Sequence, residues 1–334
     1  MSLCSRSTPI SNPHSSGFTL LELAIVILVL GVVAGIGVVG IDRFDPGNLG
    51  LRTSLETFFE SSRDRARVSG HPVTVVQLPA TDQKDARMQR FVYRRALEAS
   101  FERSFEQREN LHFTGSAALG AKGRFGACAD LREGGTVAIE GRGTPNLRHG
   151  FSLDMDFYSP LGESGELFSW DGFLTIAVRR SGVIAVTLRA GNGELEQNFL
   201  LESPAGSTTT QQWQHIKLVA ADETFFMLLD GREVARMAIP EVLADPIKVP
   251  ILGNDDEGWR GLVDEFTVWA RVGEFGPEIP DTITVEPAKL RLLFDRHGML
   301  DASQHPKPVE IVLRDLGDEV GSFVVGRFTQ EASL

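Results

Sequence analysis

The chain has 334 residues, 42% of them hydrophobic, and a formal net charge of −12. That length leaves room for two soluble domains beside a membrane segment. The acidic balance argues against nucleic acid and anionic lipid surfaces as partners.

A short polar leader ends at Gly17. Phe18, Thr19, two leucines and Glu22 follow, and then nineteen residues, Leu23 to Ile41, without a charged or polar side chain. At ~1.5 Å per residue that run makes a helix of roughly 28 Å, enough to cross a bilayer. Glu22 stands out at its head, because a carboxylate in hydrocarbon is costly unless a cation meets it. Gly35, Gly37 and Gly40 spell a G-x-G-x-x-G dinucleotide fingerprint. That fingerprint needs a strand, a turn and a soluble helix start, whereas here the glycines sit in unbroken apolar sequence. Gly31 and Gly35 fit close helix packing in a membrane.

The pattern G-F-T-L-L-E followed by an apolar run resembles the class III prepilin signal of type IV pilins and type II secretion pseudopilins. The resemblance implies cleavage after Gly17 by a membrane peptidase and methylation of the new amine on Phe18. It also implies that Glu22 pairs with the α-amine of a neighbouring subunit during assembly. Cys4 would leave with the leader, so Cys128 would be a lone thiol and no intrachain disulfide would support the mature fold. A lone thiol of this kind fits a small buried hydrophobe.

Asp45-Pro46-Gly47-Asn48 predicts a turn or kink after the apolar run. An amphipathic helix over 49–68 follows, with Leu51, Leu55, Phe58, Ser62 and Ala66 on one face, Gly70 as its C-cap and Pro72 as its stop. Strands are predicted at 73–78 and 90–95. This passage resembles the corresponding region of H-type minor pseudopilins, and the segments 290–294, 309–313 and 322–328 resemble the closing strands of the same body. The resemblance implies one small sheet, split by a large insert and packed on the helix. Residues 98–110, with Phe101 and Phe105 four apart, fit a short helix, an ordered linker or a solvated connector. Residues 275–287, with three prolines, read as a return linker.

From 111 to 272 short β-rich runs recur between Gly, Asn and Asp turns, the texture of a sandwich or jelly roll. Four landmarks in order resemble the concanavalin A-like, laminin-G-like jelly roll: Gly123–Cys128, Phe151–Phe157, Trp213–Ile216 with Phe226–Gly231, and Trp259–Phe266. The expected class is therefore α+β, with a long N-terminal transmembrane helix packed on a small antiparallel pilin sheet and an inserted all-β jelly-roll sandwich. The expected parts are a leader (1–17), a helix (18–70, transmembrane over 18–41), the first part of the body with its connector (71–110), the insert (111–274), and a linker with the second part of the body (275–334). An insert whose ends lie close together would leave its host's pairing undisturbed.

Among candidate sites, Asp154 and Asp156 sit i, i+2 on one strand, where two carboxylates share a face, but no third acid follows. Catalysis is therefore not expected. Asn254, Asp255, Asp256 and Glu257 form an oxygen-rich loop of the ligand type that calcium takes; no other cofactor is indicated. Asp264 and Glu265 belong to a closing-strand motif of structural role. Trp170, Trp213, Trp259 and Trp269 are either core or a sugar-stacking platform. The expected function is that of a minor pilin or pseudopilin subunit, single-pass in a bacterial inner membrane, with its body in the periplasm or on a surface filament. Its expected partners are other pilin subunits, prepilin peptidase, and a polysaccharide or secreted protein, with no nucleic acid. The rival is a carbohydrate-binding adhesin delivered by a pilin stem.

Overall fold

The computed structural model describes residues 46–82, 84–102, 110–120, 122–141, 143–254 and 258–326. The predicted membrane helix over 18–41 lies outside them. Among the described residues no helix is long and apolar enough to cross a membrane.

The helix α1 (Pro46–Ser69) includes Gly47 and Asn48, so the turn predicted at 46–48 is instead the helix's first turn, where proline is tolerated. Its apolar stripe is where periodicity placed it: Leu55, Phe58, Ser62 and Ala66 are buried, joined by Phe59. Gly70 ends the helix at φ +68°, its N–H donating to the Ala66 carbonyl at 3.0 Å.

Twenty strands follow among the described residues. The first six are β1 (Val73–Leu78), β2 (Ala86–Ala99), β3 (Leu111–Thr114), β4 (Ala118–Gly120), β5 (Cys128–Asp130) and β6 (Thr136–Ile139). Next come β7 (Phe151–Tyr158), β8 (Gly165–Trp170), β9 (Leu174–Val178), β10 (Ile184–Ala190), β11 (Gln197–Glu202), β12 (Trp213–Ala221) and β13 (Thr224–Leu229). The last are β14 (Arg232–Ala238), β15 (Ile251–Leu252), β16 (Leu262–Ile279), β17 (Ile283–Glu286), β18 (Arg291–Phe294), β19 (Val309–Asp315) and β20 (Asp318–Val325).

Among these residues, two antiparallel sheets form a jelly-roll sandwich. One has ten strands, in the order β14-β13-β12-β7-β16-β2-β1-β18, with β5 also on β16 and β4 on β5. The other has seven, in the order β11-β10-β9-β8-β15-β6-β3. Alternation fills the space between them. Phe151, Leu153, Met155 and Phe157 of β7 face inward against Ile176 and Val178 of β9 and Val186 and Leu188 of β10. Each such side chain contributes roughly 2 kcal/mol by leaving water. Trp170 and Trp259 are core residues, their indole N–H groups donating to the Lys248 carbonyl (2.6 Å) and to Ser159 Oγ (3.2 Å).

Three expectations need correction. The small sheet predicted beside the jelly roll is not separate: β1, β2 and β18 continue the ten-stranded sheet through β16, whose register on β2 runs from Phe266↔Ala99 to Ile279↔Ala86. The boundary expected at 274/275 therefore falls inside β16. The segments at 309–313 and 322–328 do not join 73–78, because β19 and β20 form their own three-stranded sheet with β17. Finally, the region read as a return linker is strand to Ile279 and again from Ile283. Pro277 is accommodated because the ladder shifts register between Phe275 and Glu278, so no pairing N–H is required of it.

From Ser54 onward the helix packs on this framework. The Phe59 and Phe323 rings lie 5.8 Å apart, joining it to β20. A Cβ on Gly276 would stand 2.6 Å from the Phe58 ring, so β16 approaches the helix as only glycine permits. Glu274 receives Arg90 at 2.8 Å and Arg65 at 3.7 Å. Burial alone would raise its pKa, but hydrogen bonds from Arg94 and Arg90 outweigh it and hold the carboxyl below its usual range.

Candidate functional site

The outer face of the ten-stranded sheet carries the chemistry. Side chains of directly paired residues share a face, so the register arranges them in rungs. One rung runs Trp213 (β12), Tyr158 (β7), Leu262 (β16), Asp130 (β5). The next is His215, Asp156, Asp264, and the third Lys217, Asp154, Thr267. A fourth places Val219, Ser152 and Trp269 together.

The two central rungs form an ion-pair ladder. Asp156 Oδ1 accepts from Arg124 Nη1 at 2.6 Å and from His215 Nδ1 at 3.0 Å. Asp154 Oδ1 takes Lys217 Nζ at 3.1 Å and His215 Nε2 at 3.4 Å. Both imidazole nitrogens thus face carboxylates, which is the geometry of an imidazolium. The hydrogen bonds to Asp154 and then Asp156 raise the His215 pKa to about 9 against the cost of burial. The sequence reading that Asp154 and Asp156 share a face holds, yet cations bridge both of them.

Asp264 is buried at a register shift of β16, beside Glu265 at φ +49°. It accepts from the backbone N–H groups of Phe125 (3.1 Å) and Glu265 (2.9 Å). Burial, opposed by those bonds, leaves its carboxyl above the usual range. Asp264 thereby ties the 122–127 loop to the sheet, a structural role, and Arg124 of that loop closes over Asp156.

At the Trp213 end the face opens into a pocket of about 530 Å³. Trp213 and Tyr158 line it with their rings 5.8 Å apart, together with Leu262, Lys122 and the Asp130–Arg132 pair. Arg132 Nε and Nη2 donate to the two Asp130 oxygens at 2.9 and 2.6 Å. Cys128 sits beneath, buried, and its surroundings push the thiol up to about 11, so it is a packed sulfur rather than a nucleophile. Trp269 lies away from this pocket, under the ring of His71 at 4.4 Å. Of the four tryptophans, then, two are core, one is covered by the turn after α1, and Trp213 alone lines this pocket. Sequence reasoning missed Tyr158, Lys122, Asp130 and Arg132, because their meeting depends on β5 pairing with β16. The other outer face bears a shallower cleft of about 410 Å³ lined by Thr175, Thr187 and Asn198, with Arg189 paired to Glu196 at 2.9 Å.

Of the loop predicted to suit calcium, Asn254 Nδ2 donates to Glu166 Oε1 at 3.4 Å. Asp255, Asp256 and Glu257 lie outside the described residues. No group of three or more His, Cys, Asp or Glu side chains suited to a metal ion occurs among the described residues.

Residues 12–38 match the family model described as the prokaryotic N-terminal methylation motif. The chain has a type IV pilin-like N-terminus. Gly17, Phe18 and Glu22 fall within the matched stretch and outside the described residues. No curated protein matches the chain. Solved structures similar to it include the binding domain of botulinum neurotoxin DC in complex with SialylT, at 10% identity and TM-score 0.40, covering 53% of this chain and 48% of that one. Another is domain 4 of AbnA, an extracellular arabinanase from Geobacillus stearothermophilus, in complex with arabinotriose, at 16% identity and TM-score 0.37, covering 54% of this chain and 93% of that one. A third is domains LG4-5 of the mouse laminin alpha1 chain, at 11% identity and TM-score 0.33, covering 54% of this chain and 43% of that one. The chain thus spans about half the length of the neurotoxin structure.

Proposed function

We propose that the protein is a minor pilin or pseudopilin subunit of a type II secretion or type IV pilus-like filament, anchored in the bacterial inner membrane, whose jelly roll presents a ligand- or partner-binding surface. The observation that carries this reading is the methylation-motif match over residues 12–38, a stretch that contains Gly17, Phe18 and Glu22. The apolar run behind them is long enough for a membrane helix, and α1 leads from there into the body. Its partners are other pilin subunits and a prepilin peptidase, which cuts after Gly17 and methylates Phe18. Glu22 offers its carboxylate to the amine of a neighbouring subunit, a charge pair that neutralises two groups otherwise expensive in hydrocarbon.

Mass spectrometry of the membrane form, from cells with active peptidase, is expected to give a chain starting at methylated Phe18; an intact leader would count against the reading. Glu22→Ala is expected to insert normally, since it removes a charge from an apolar segment. Its incorporation into filaments, scored by co-purification with the major subunit, is expected to fail.

A further inference from the structure

We propose that the Trp213–Tyr158 pocket is a binding site for a neutral saccharide, recognised along the rung that crosses the sheet from Trp213 to Asp130. This rests on the reading that the jelly roll presents a binding surface, and gives that surface a place and a ligand class.

Three neighbouring outward positions, Trp213, Tyr158 and Leu262, are apolar or aromatic, while the adjoining rung is fully ionic. At the other end of the strands the apolar rung of Val219 and Trp269 is covered, Trp269 by the His71 ring, whereas the Trp213 end borders an open hollow. The volume, about 530 Å³, falls in the range of small-molecule sites. Two tilted rings with an aliphatic neighbour suit a ligand that has a C–H-rich face, as a pyranose does. At the far end of the rung stands the Asp130–Arg132 pair, in which two parallel hydrogen bonds and a third from the Arg132 backbone N–H to Asp130 Oδ1 (3.1 Å) fix the carboxylate before any ligand arrives. Fixed acceptors next to fixed donors match hydroxyl groups, which are both, and being pre-ordered they lose little entropy on binding. Lys122 adds a movable donor.

The alternatives fit less well. An extended peptide needs a strand edge open over several residues, but β7, β16 and β5 are paired on both sides along this rung, and β12 lacks its β13 partner only before Ile216, where that ladder begins. A polyanion meets a chain of net charge −12 and a pocket in which one of the two cations is already paired with Asp130. Three gaps of about 4.8 Å separate Trp213 from Asp130 along the rung, about 14 Å in all, which accommodates two or three linked sugar rings.

The test uses the full chain in detergent micelles against immobilised neutral trisaccharides of glucose, galactose, mannose and xylose, with a sialylated and a uronic-acid trisaccharide alongside. Saturable binding to at least one neutral trisaccharide is expected. Trp213→Ala and Arg132→Met should each weaken it about tenfold or more, Trp213→Phe should weaken it less, and Trp269→Phe should leave it unchanged. Should Trp213→Ala fail to fold, Arg132→Met and Trp213→Phe decide, since Arg132 is exposed. Absence of binding to every neutral probe, binding to the anionic probes alone, or full binding by Arg132→Met overturns the proposal. Filament incorporation of the unaltered chain, measured beside its saccharide binding, separates the two readings. Normal incorporation without saccharide binding removes the site and keeps the pilin role, and the reverse removes the role and keeps the site.

Discussion

His215 makes the charge ladder sensitive to alkali. Its folded-state pKa, about 9, lies above the 6.5 of a free imidazole, so the proton it carries stabilises the fold. That contribution is complete below about pH 6.5 and is lost as pH rises through about 9. About a third of the ring is open to water, which screens the pair and reduces the expected effect to about 1 kcal/mol. The thermal midpoint of the native protein is expected to fall more between pH 7 and pH 9.5 than that of His215→Gln, with scanning calorimetry as the measurement. Parallel curves would show that the imidazolium adds nothing. Little of this was legible beforehand. Asp154-x-Asp156 announced two acids on one face, but nothing near them in sequence named Arg124, His215 or Lys217, which arrive from the 122–127 loop and from β12.

At the scale of elements, α1 was the most legible part of the chain. Leu55, Phe58, Ser62 and Ala66 repeat at helical spacing and are buried, and Gly70 caps the helix as its position before Pro72 implied. What covers that stripe was hidden, because Gly276 and Pro277 read as linker chemistry. In the structure that glycine is a contact point. Gly276→Ala would place a Cβ 2.6 Å from a Phe58 ring that is buried, flanked by Phe59 and overlain by the Arg90 guanidinium at 5.3 Å. A cost of about 1–3 kcal/mol is expected. Gly50, inside the same helix, has open space at its Cβ. Gly50→Ala is therefore expected to stabilise by about 0.4–1 kcal/mol, through helix propensity and a less disordered unfolded chain. Denaturation midpoints of the two variants should move in opposite directions; a shared direction would mean that the Phe58 contact does not govern.

For the whole molecule, the jelly roll was legible from alternation and turn spacing, since strands such as β7 and β12 bury one face and show it in their sequence. The union of β2 with β16 was not, because pairing between distant strands leaves no local mark and the β2 sequence ends in the charged run 98–110. Phe101, which looked like part of a connector, is fully buried in the sandwich core. Removing residues 111–274 and bridging the gap with a short Gly/Ser linker is therefore expected to leave an unfolded body. The excision takes Phe266–Glu274 away from Arg90–Ala99 of β2, which strips that strand's ladder and opens its edge to water. Hydrogen exchange at 73–78 decides: native-like protection in the deletion variant would show that the body is independent after all.

The β2–β16 ladder also orders events in time. A chain delivered N-terminus first presents β2 long before Leu262 follows, and until then one edge of β2 is bare backbone. Contacts so distant in sequence form late, and exposed edges in that interval invite pairing with other chains. Completion of this sheet therefore waits for nearly the whole polypeptide, so under the proposed reading of an exported pilin subunit, competence for assembly would follow the end of translocation.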